Sequence, residues 1–141
     1  MAVYLDTSAT VPLFFHETAS VQALERIESE REIWVSRWTI AEFSSATAFK
    51  VRSRQTDEGA ARAALARFRE IVSAGGFLVV EVERGDFDEA ARLCDAHASG
   101  LRTPDALHAA IASRLRHSLL TGDKGQRDGC AYHAIRHEYI G

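Results

Sequence analysis

The chain has 141 residues, 46% hydrophobic and 26% charged, which is enough for one domain with a buried core and argues against a disordered segment. A formal net charge of -3 argues against a general nucleic-acid coat protein, which carries a broad positive field. No apolar run approaches the roughly 20 residues of a membrane span, and no basic region followed by a hydrophobic stretch opens the chain, so a cytoplasmic protein is expected. Cys94 and Cys130 stand far apart, outside zinc-ligand or disulfide spacings, and read as small buried hydrophobes.

Val3-Tyr4-Leu5 is an apolar run ending in Asp6, which predicts a short buried strand that delivers a carboxylate to a sheet edge. Thr10 to Phe15 reads as a short helix with Pro12 in its first turn, where a missing N–H costs little. Thr18 to Glu30 is helical by the spacing of Val21, Leu24 and Ile27. Ile33 to Ser36 is a second strand, and Trp38 to Arg52 the helix after it, with Glu42 in its second turn. Ala60 to Val72 is a further helix carrying Leu65, Phe68 and Val72 on one face, so residues 38–72 read as a helical hairpin. Gly75-Gly76 ends the hairpin, Phe77 to Val80 is a third strand, and Asp86 to Ala98 a helix. Thr103-Pro104-Asp105 is the strongest helix start in the chain, with Thr at the cap and Pro at the first helical position, and that helix runs to about Arg116. Ser118 to Thr121 is a fourth strand, broken by Gly122-Asp123, and His133 to Ile135 a short fifth. Strands alternating with helices predict the α/β class: a three-layer α/β/α sandwich around a parallel sheet of four to five strands, with residues 1–141 as one domain.

In such a sheet every connecting helix runs antiparallel to the strands, so a helix that leads into a strand starts at the strands' carboxyl edge. Asp6 and Asp123 leave the ends of the first and fourth strands, Asp105 opens the helix descending to the fourth, and Glu42 lies early in the helix after the second. All four map to the edge where open α/β sheets bind ligands. Each has a plainer reading: Asp6 as a helix cap, Glu42 on a wet face with Trp38 and Ser45, Asp105 as a first-turn acid complementing the helix dipole, Asp123 as a turn residue. Those readings leave the convergence unexplained. Two carboxylates about 5 Å apart repel by roughly 3 kcal/mol at an effective dielectric near about 20, so a cluster takes up protons or a hard divalent cation. Oxygen-only donors favour Mg2+ or Mn2+ over zinc, and such an ion can hold a phosphodiester for in-line hydrolysis.

Leu5-Asp6-Thr7-Ser8-Ala9, Ala41-Glu42-Phe43, the stretch from Thr103-Pro104-Asp105 to Ala110, and Leu120-Thr121-Gly122-Asp123-Lys124-Gly125 occur in that order along almost the whole chain. Together they resemble the motifs of the PIN domain, and in length and order the chain is similar to the VapC-type toxin ribonucleases of type II toxin-antitoxin systems. The resemblance implies a metal-dependent endoribonuclease with Asp6, Glu42, Asp105 and Asp123 as its catalytic acids and Mg2+ or Mn2+ ligands. It implies Thr7 or Ser8 as a supporting hydroxyl, and Asp128 as a further outer acid where the family pattern is loose. It also implies an RNA substrate, a homodimer and an antitoxin protein as partner. The rival reading is a PIN-like module that binds RNA or protein without cutting; metal dependence separates the two. A receiver domain needs an acid pair around the first strand, and a haloacid-type phosphatase needs Asp-x-Asp, where this chain has Ser8. His108, three residues after Asp105 on one helix face, reads as structural or as a support for the acids. Residues 50–70 hold six basic side chains against three acidic ones. Lys50, Arg52 and Arg54 are therefore candidate RNA contacts, with Arg102, Lys124 and Arg127 beside Asp105 and Asp123 as the alternative should the hairpin be an assembly surface.

Overall fold

Strand β1 (Ala2–Leu5) is apolar at successive rather than alternate positions, and Val3, Tyr4 and Leu5 are all buried, as a strand covered on both faces requires. In the computed structural model, which describes residues 1–141, β1 is the middle of five strands with β2 (Glu32–Ser36), β3 (Leu78–Val80), β4 (Ser118–Thr121) and β5 (His137–Tyr139). Their order is β3-β2-β1-β4-β5, and every pairing is parallel. Seven helices connect them: α1 (Thr7–Thr10), α2 (Ser20–Glu28), α3 (Arg37–Arg52), α4 (Glu58–Ser73), α5 (Arg84–Asp95), α6 (Thr103–Leu115) and α7 (Lys124–Tyr132). No helix is long and apolar enough to cross a membrane.

The pleat divides the core into two. Val3, Leu5, Val35 and Leu120 point toward α1 to α4, where Phe43 stacks on Phe68 with centroids 4.3 Å apart and Phe14 meets both edge-on at 5.4 and 5.5 Å. Such ring pairs add stability beyond their area and seat the α3–α4 hairpin on the sheet. Tyr4 and Leu119 point the other way, toward α5, α6 and α7. Here α6 is buried without a break from Ala106 to Ala112, apolar all round except for the hydrogen-bonded His108 and therefore covered all round. Its small alanines let α5 approach. The two are locked by Asp86, 2% exposed, whose Oδ1 and Oδ2 each accept from Arg114 at 2.8 Å.

Several boundaries differ from the sequence expectation: α2 and β3 are shorter than expected, α5 starts at Arg84 and ends at Asp95 with a separate 3-10 turn at His97–Ser99, and three further differences have a physical reason. The fifth strand is His137–Tyr139, not 133–135, because His133 caps α7 and Ala134 turns left-handed at φ 55, which no strand tolerates. The strand carries a polar edge sequence held by Arg26, whose Nη2 donates to Glu138 at 2.8 Å, so it has no apolar signature. At α6 the cap is Arg102, with Thr103 and Pro104 inside the first turn. At the other end of the chain α1 starts at Thr7 directly after Asp6, and the turn through Pro12 is a separate 3-10 segment, Val11–Leu13. Cys94 and Cys130 are both free thiols; Cys94 is only half-buried, and burial pushes the Cys130 thiol up to about 12.

Removing one member of the buried Asp86–Arg114 pair leaves an uncompensated charge, a loss of about 3 kcal/mol. Urea unfolding of Arg114→Leu is expected to show a loss of that order, and Asp86→Asn combined with Arg114→Leu to recover much of it. A double variant no more stable than Arg114→Leu would contradict this account.

Candidate functional site

The connections from β1 and β4 leave toward opposite ends of the sheet, so the carboxyl ends of these neighbouring strands flank the crevice where open parallel sheets bind ligands. Asp6 follows β1 immediately and Asp123 lies two residues past β4. Asp6 is 2% exposed. Its Oδ1 accepts from the Ala9 N–H at 3.0 Å and the Ser8 hydroxyl at 2.6 Å, so it caps α1 with one oxygen and leaves the other outside these bonds. Burial raises its carboxyl above the usual range, against the opposing charge of His108 and the hydroxyls of Ser8 and Thr121. Ser8 also accepts from the Gly122 N–H at 2.8 Å, tying the start of α1 to the end of β4. A Cβ at Gly122 would stand 3.0 Å from the Ser8 carbonyl oxygen, so glycine permits this approach.

Asp123 is exposed and caps α7, its Oδ2 accepting from the Gln126 N–H at 2.7 Å. Gln126 is a residue the sequence did not single out. It is fully buried, and its Nε2 donates to the Asp105 carbonyl at 2.9 Å, pinning the start of α7 to the start of α6 and bringing Asp123 toward Asp105. Its Oε1 is buried without a partner.

Glu42 hangs from α3, whose start is fixed by reciprocal capping between Ser36 and Thr39. Its Oε1 accepts from the Thr7 hydroxyl at 2.7 Å and from His108 Nε2 at 2.5 Å. A carboxylate only accepts, so Nε2 of His108 carries a proton. His108 is 2% exposed, and its Nδ1 meets the Tyr4 hydroxyl at 2.7 Å, which in turn reaches Ser36 Oγ at 2.8 Å. A buried chain of polar groups thus runs from the cap of α3 through β1 and α6 back to Glu42. Partial burial acts to raise the Glu42 carboxyl, but the His108 bond and charge and the Thr7 hydroxyl outweigh it, and the group lies below its usual range. Burial drives the Tyr4 hydroxyl well above the usual tyrosine range.

Asp105, in the first turn of α6, is half-buried, and no hydrogen bond reaches its carboxylate. Burial first, then the charges of Asp123, Asp6 and Glu42, push it up to about 6, with His108 opposing. Asp105 therefore senses the charges of the other three acids at the switch point. No three His, Cys, Asp or Glu side chains stand close enough to ligate one ion as they are. The donor chemistry nonetheless fits a hard divalent cation: the donors are oxygen only, one carboxylate is unpartnered, and their repulsion needs a countercharge. Asp128 is exposed and paired with Arg127 at 2.9 Å. Among the basic candidates, Lys50 is bound to Glu17 at 2.6 Å and covers the Phe15 ring, and Arg127 lies over Tyr139. Arg52, Arg54, Arg102 and Lys124 are exposed and form no ion pair.

The family model for the PIN domain matches residues 3–131. The fold is similar to that of VapC20, the sarcin-ricin loop cleaving toxin of Mycobacterium tuberculosis, at 18% identity over 89% of this chain and 92% of that one, with a TM-score of 0.70. It is similar to VapBC2 from Rickettsia felis bound to a DNA fragment from their promoter, at 17% identity over 100% of both chains and a TM-score of 0.67. It is also similar to DNA-bound VapBC from Salmonella typhimurium, at 15% identity over 100% of both chains and a TM-score of 0.68. No curated protein matches the chain in sequence.

Because the Asp105 carboxyl is raised from 3.8 to about 6 by folding, its contribution to stability is full below pH 3.8 and is lost as pH rises through about 6. Carboxyl NMR of the metal-free protein should show Asp105 titrating near 6 and moving down in Asp123→Asn. Asp105→Asn should flatten that part of the stability profile. An Asp105 that titrates as an ordinary aspartate would remove the case for a mutually repelling cluster.

Proposed function

The chain belongs to the PIN domain family, and on that premise we propose that it is a divalent-metal-dependent endoribonuclease, the toxin of a toxin-antitoxin pair, with residues 1–141 acting as one domain in the cytoplasm. The observation that carries this reading is geometric: Asp6 and Asp123 follow β1 and β4, Asp105 opens α6 and Glu42 lies early in α3, all at one edge of the parallel sheet, and the charges of the other three acids with burial raise the Asp105 carboxyl. Solved relatives in fold include a sarcin-ricin loop cleaving toxin and VapBC assemblies, which supports RNA as substrate and an antitoxin as partner; a homodimer belongs to the same reading.

Mg2+ or Mn2+ would be held by the carboxylates of Asp6, Asp105 and Asp123, with Glu42 beside them. When bound, the ion neutralises phosphodiester charge and favours hydrolysis at neutral pH. The chain's own groups divide the remaining work. Glu42, kept ionised by His108 and Thr7, holds a fixed negative charge. Asp105, whose carboxyl burial and the other acids raise in the metal-free chain, would be held ionised by the ion it helps to bind, so its part is that of a ligand rather than a proton carrier. The Ser8 hydroxyl orients Asp6, and the exposed cations Arg52, Arg54, Arg102 and Lys124 can hold flanking phosphates. The second reading is a PIN-like module that binds RNA or protein without cutting it, and a metal titration separates the two.

Purified protein freed of any partner should cut RNA with Mg2+ or Mn2+ and stop with chelator. Cleavage that persists undiminished in excess EDTA would overturn the mechanism. Asp6→Asn, Glu42→Gln, Asp105→Asn and Asp123→Asn should each abolish cleavage. Asparagine caps a helix as well as aspartate does, so the two capping acids lose charge but not cap. Without metal the three aspartate variants should be as stable as the wild type or more so, by ~1 kcal/mol from relieved repulsion, whereas Glu42→Gln gives up a carboxylate that His108 and Thr7 stabilise and should be less stable. Aspartate variants that melt well below the wild type would make those acids structural.

A further inference from the structure

Glu42, Ser45, Phe49 and Arg52 follow one another on α3 at intervals of three, four and three residues, which places them on one helix face. Together with Thr7 and Gln55 they line a groove of about 520 Å³, in which Ala46 and Phe49 are the only hydrophobic walls. The groove is continuous with the acid site, since Thr7 and Glu42 form its inner end and are hydrogen-bonded to each other. Phe49 lies about 10 Å and Arg52 about 15 Å along the helix axis from Glu42.

A lone exposed phenylalanine is ordinary; the surroundings of Phe49 are what distinguish it. Phe43 stacks in the core and Phe15 is covered by Lys50, whereas Phe49 is 57% exposed in the groove. Lys50 also lines the groove but is engaged by Glu17, so Arg52 is its unpaired cation. A peptide helix would be better served by the other side of α3, where Ala48, Val51, Ala61 and Leu65 form a more apolar groove against α4. An open aromatic face, a free guanidinium and polar groups at Ser45 and Gln55 suit a single-stranded nucleic acid, whose bases stack on aromatic rings while cations hold its backbone. We propose that this groove is a subsite for an unpaired nucleotide next to the scissile phosphate, its base stacked on Phe49 and a phosphate paired with Arg52. The proposal rests on the ribonuclease reading for the place of the scissile phosphate.

Binding is measured in EDTA, without cleavage, on the full chain, with a short single-stranded RNA and a matched oligomer of abasic sugar-phosphate. Phe49→Ala is expected to weaken RNA binding about 5- to 150-fold, the range of one stacked base, and to leave binding of the abasic oligomer unchanged. Phe49→Trp should retain or tighten RNA binding. Arg52→Gln should weaken both ligands and lower the salt slope by about 0.7. Equal weakening of both ligands by Phe49→Ala would overturn the stacking assignment. So would unchanged RNA binding accompanied by a change of oligomeric state, which would make this face a contact between copies of the chain. The two readings fail separately. Base-dependent binding without cleavage in Mg2+ sinks the ribonuclease and leaves the subsite standing; cleavage with an unaltered KM in Phe49→Ala does the reverse.

Discussion

Like charges gathered at the carboxyl ends of parallel strands repel, and the arrangement persists because three of the four acids are tied to groups they cannot leave. Asp6 is bound to the first turn of α1, Asp123 to that of α7, and Glu42 to His108 and Thr7. Only Asp105 lacks such a tie, and it carries the strain as a carboxyl raised to about 6. Two acids of one cluster thus move in opposite directions, Glu42 below its usual range and Asp105 above it.

Capping and site chemistry are one device here rather than rivals. The first turn of a helix offers unpaired N–H groups, so a capping acid gains a hydrogen bond that opposes the rise burial imposes, as the Ala9 N–H does for Asp6. Because each cap uses one carboxylate oxygen, the other stays outside the cap. The same economy extends to α3. One helix holds Glu42 by its buried polar chain at one end and carries Phe49 and Arg52 along the groove toward the other, so the spacing between acid site and groove is that of a rigid rod.

The polar chain through Tyr4 and His108 costs burial of two titratable groups, which a core accepts only when every partner is in place. Its span explains its value to the site. It joins the cap of α3, strand β1 and helix α6, the elements that also position Glu42, Asp6 and Asp105. A shift of any one of them would break a buried hydrogen bond, so the relative placement of the acids is held by polar geometry as well as by packing.

Much of this was legible in the amino-acid sequence. The apolar runs at β1 and β4, the Thr-Pro-Asp start of α6 and the amphipathic α3–α4 hairpin are local patterns with a period of their own, and the rule that connecting helices reverse direction then sends Asp6, Glu42, Asp105 and Asp123 to one edge. Strand β5 escaped because His-Glu-Tyr, held at the sheet edge by Arg26, shows no apolar period. The same limit applies to the contacts that set side-chain direction. Tyr4 meets His108 across 104 residues, His108 meets Glu42 across 66, and Gln126 meets Asp105 across 21. Pattern in a sequence reports which face of an element is apolar, because that depends on near neighbours. Which buried hydroxyl meets which imidazole, that Lys50 is taken by Glu17 while Arg52 is left free, and which acid stays untied are decided only when distant elements pack, since each depends on a partner that the local sequence does not contain.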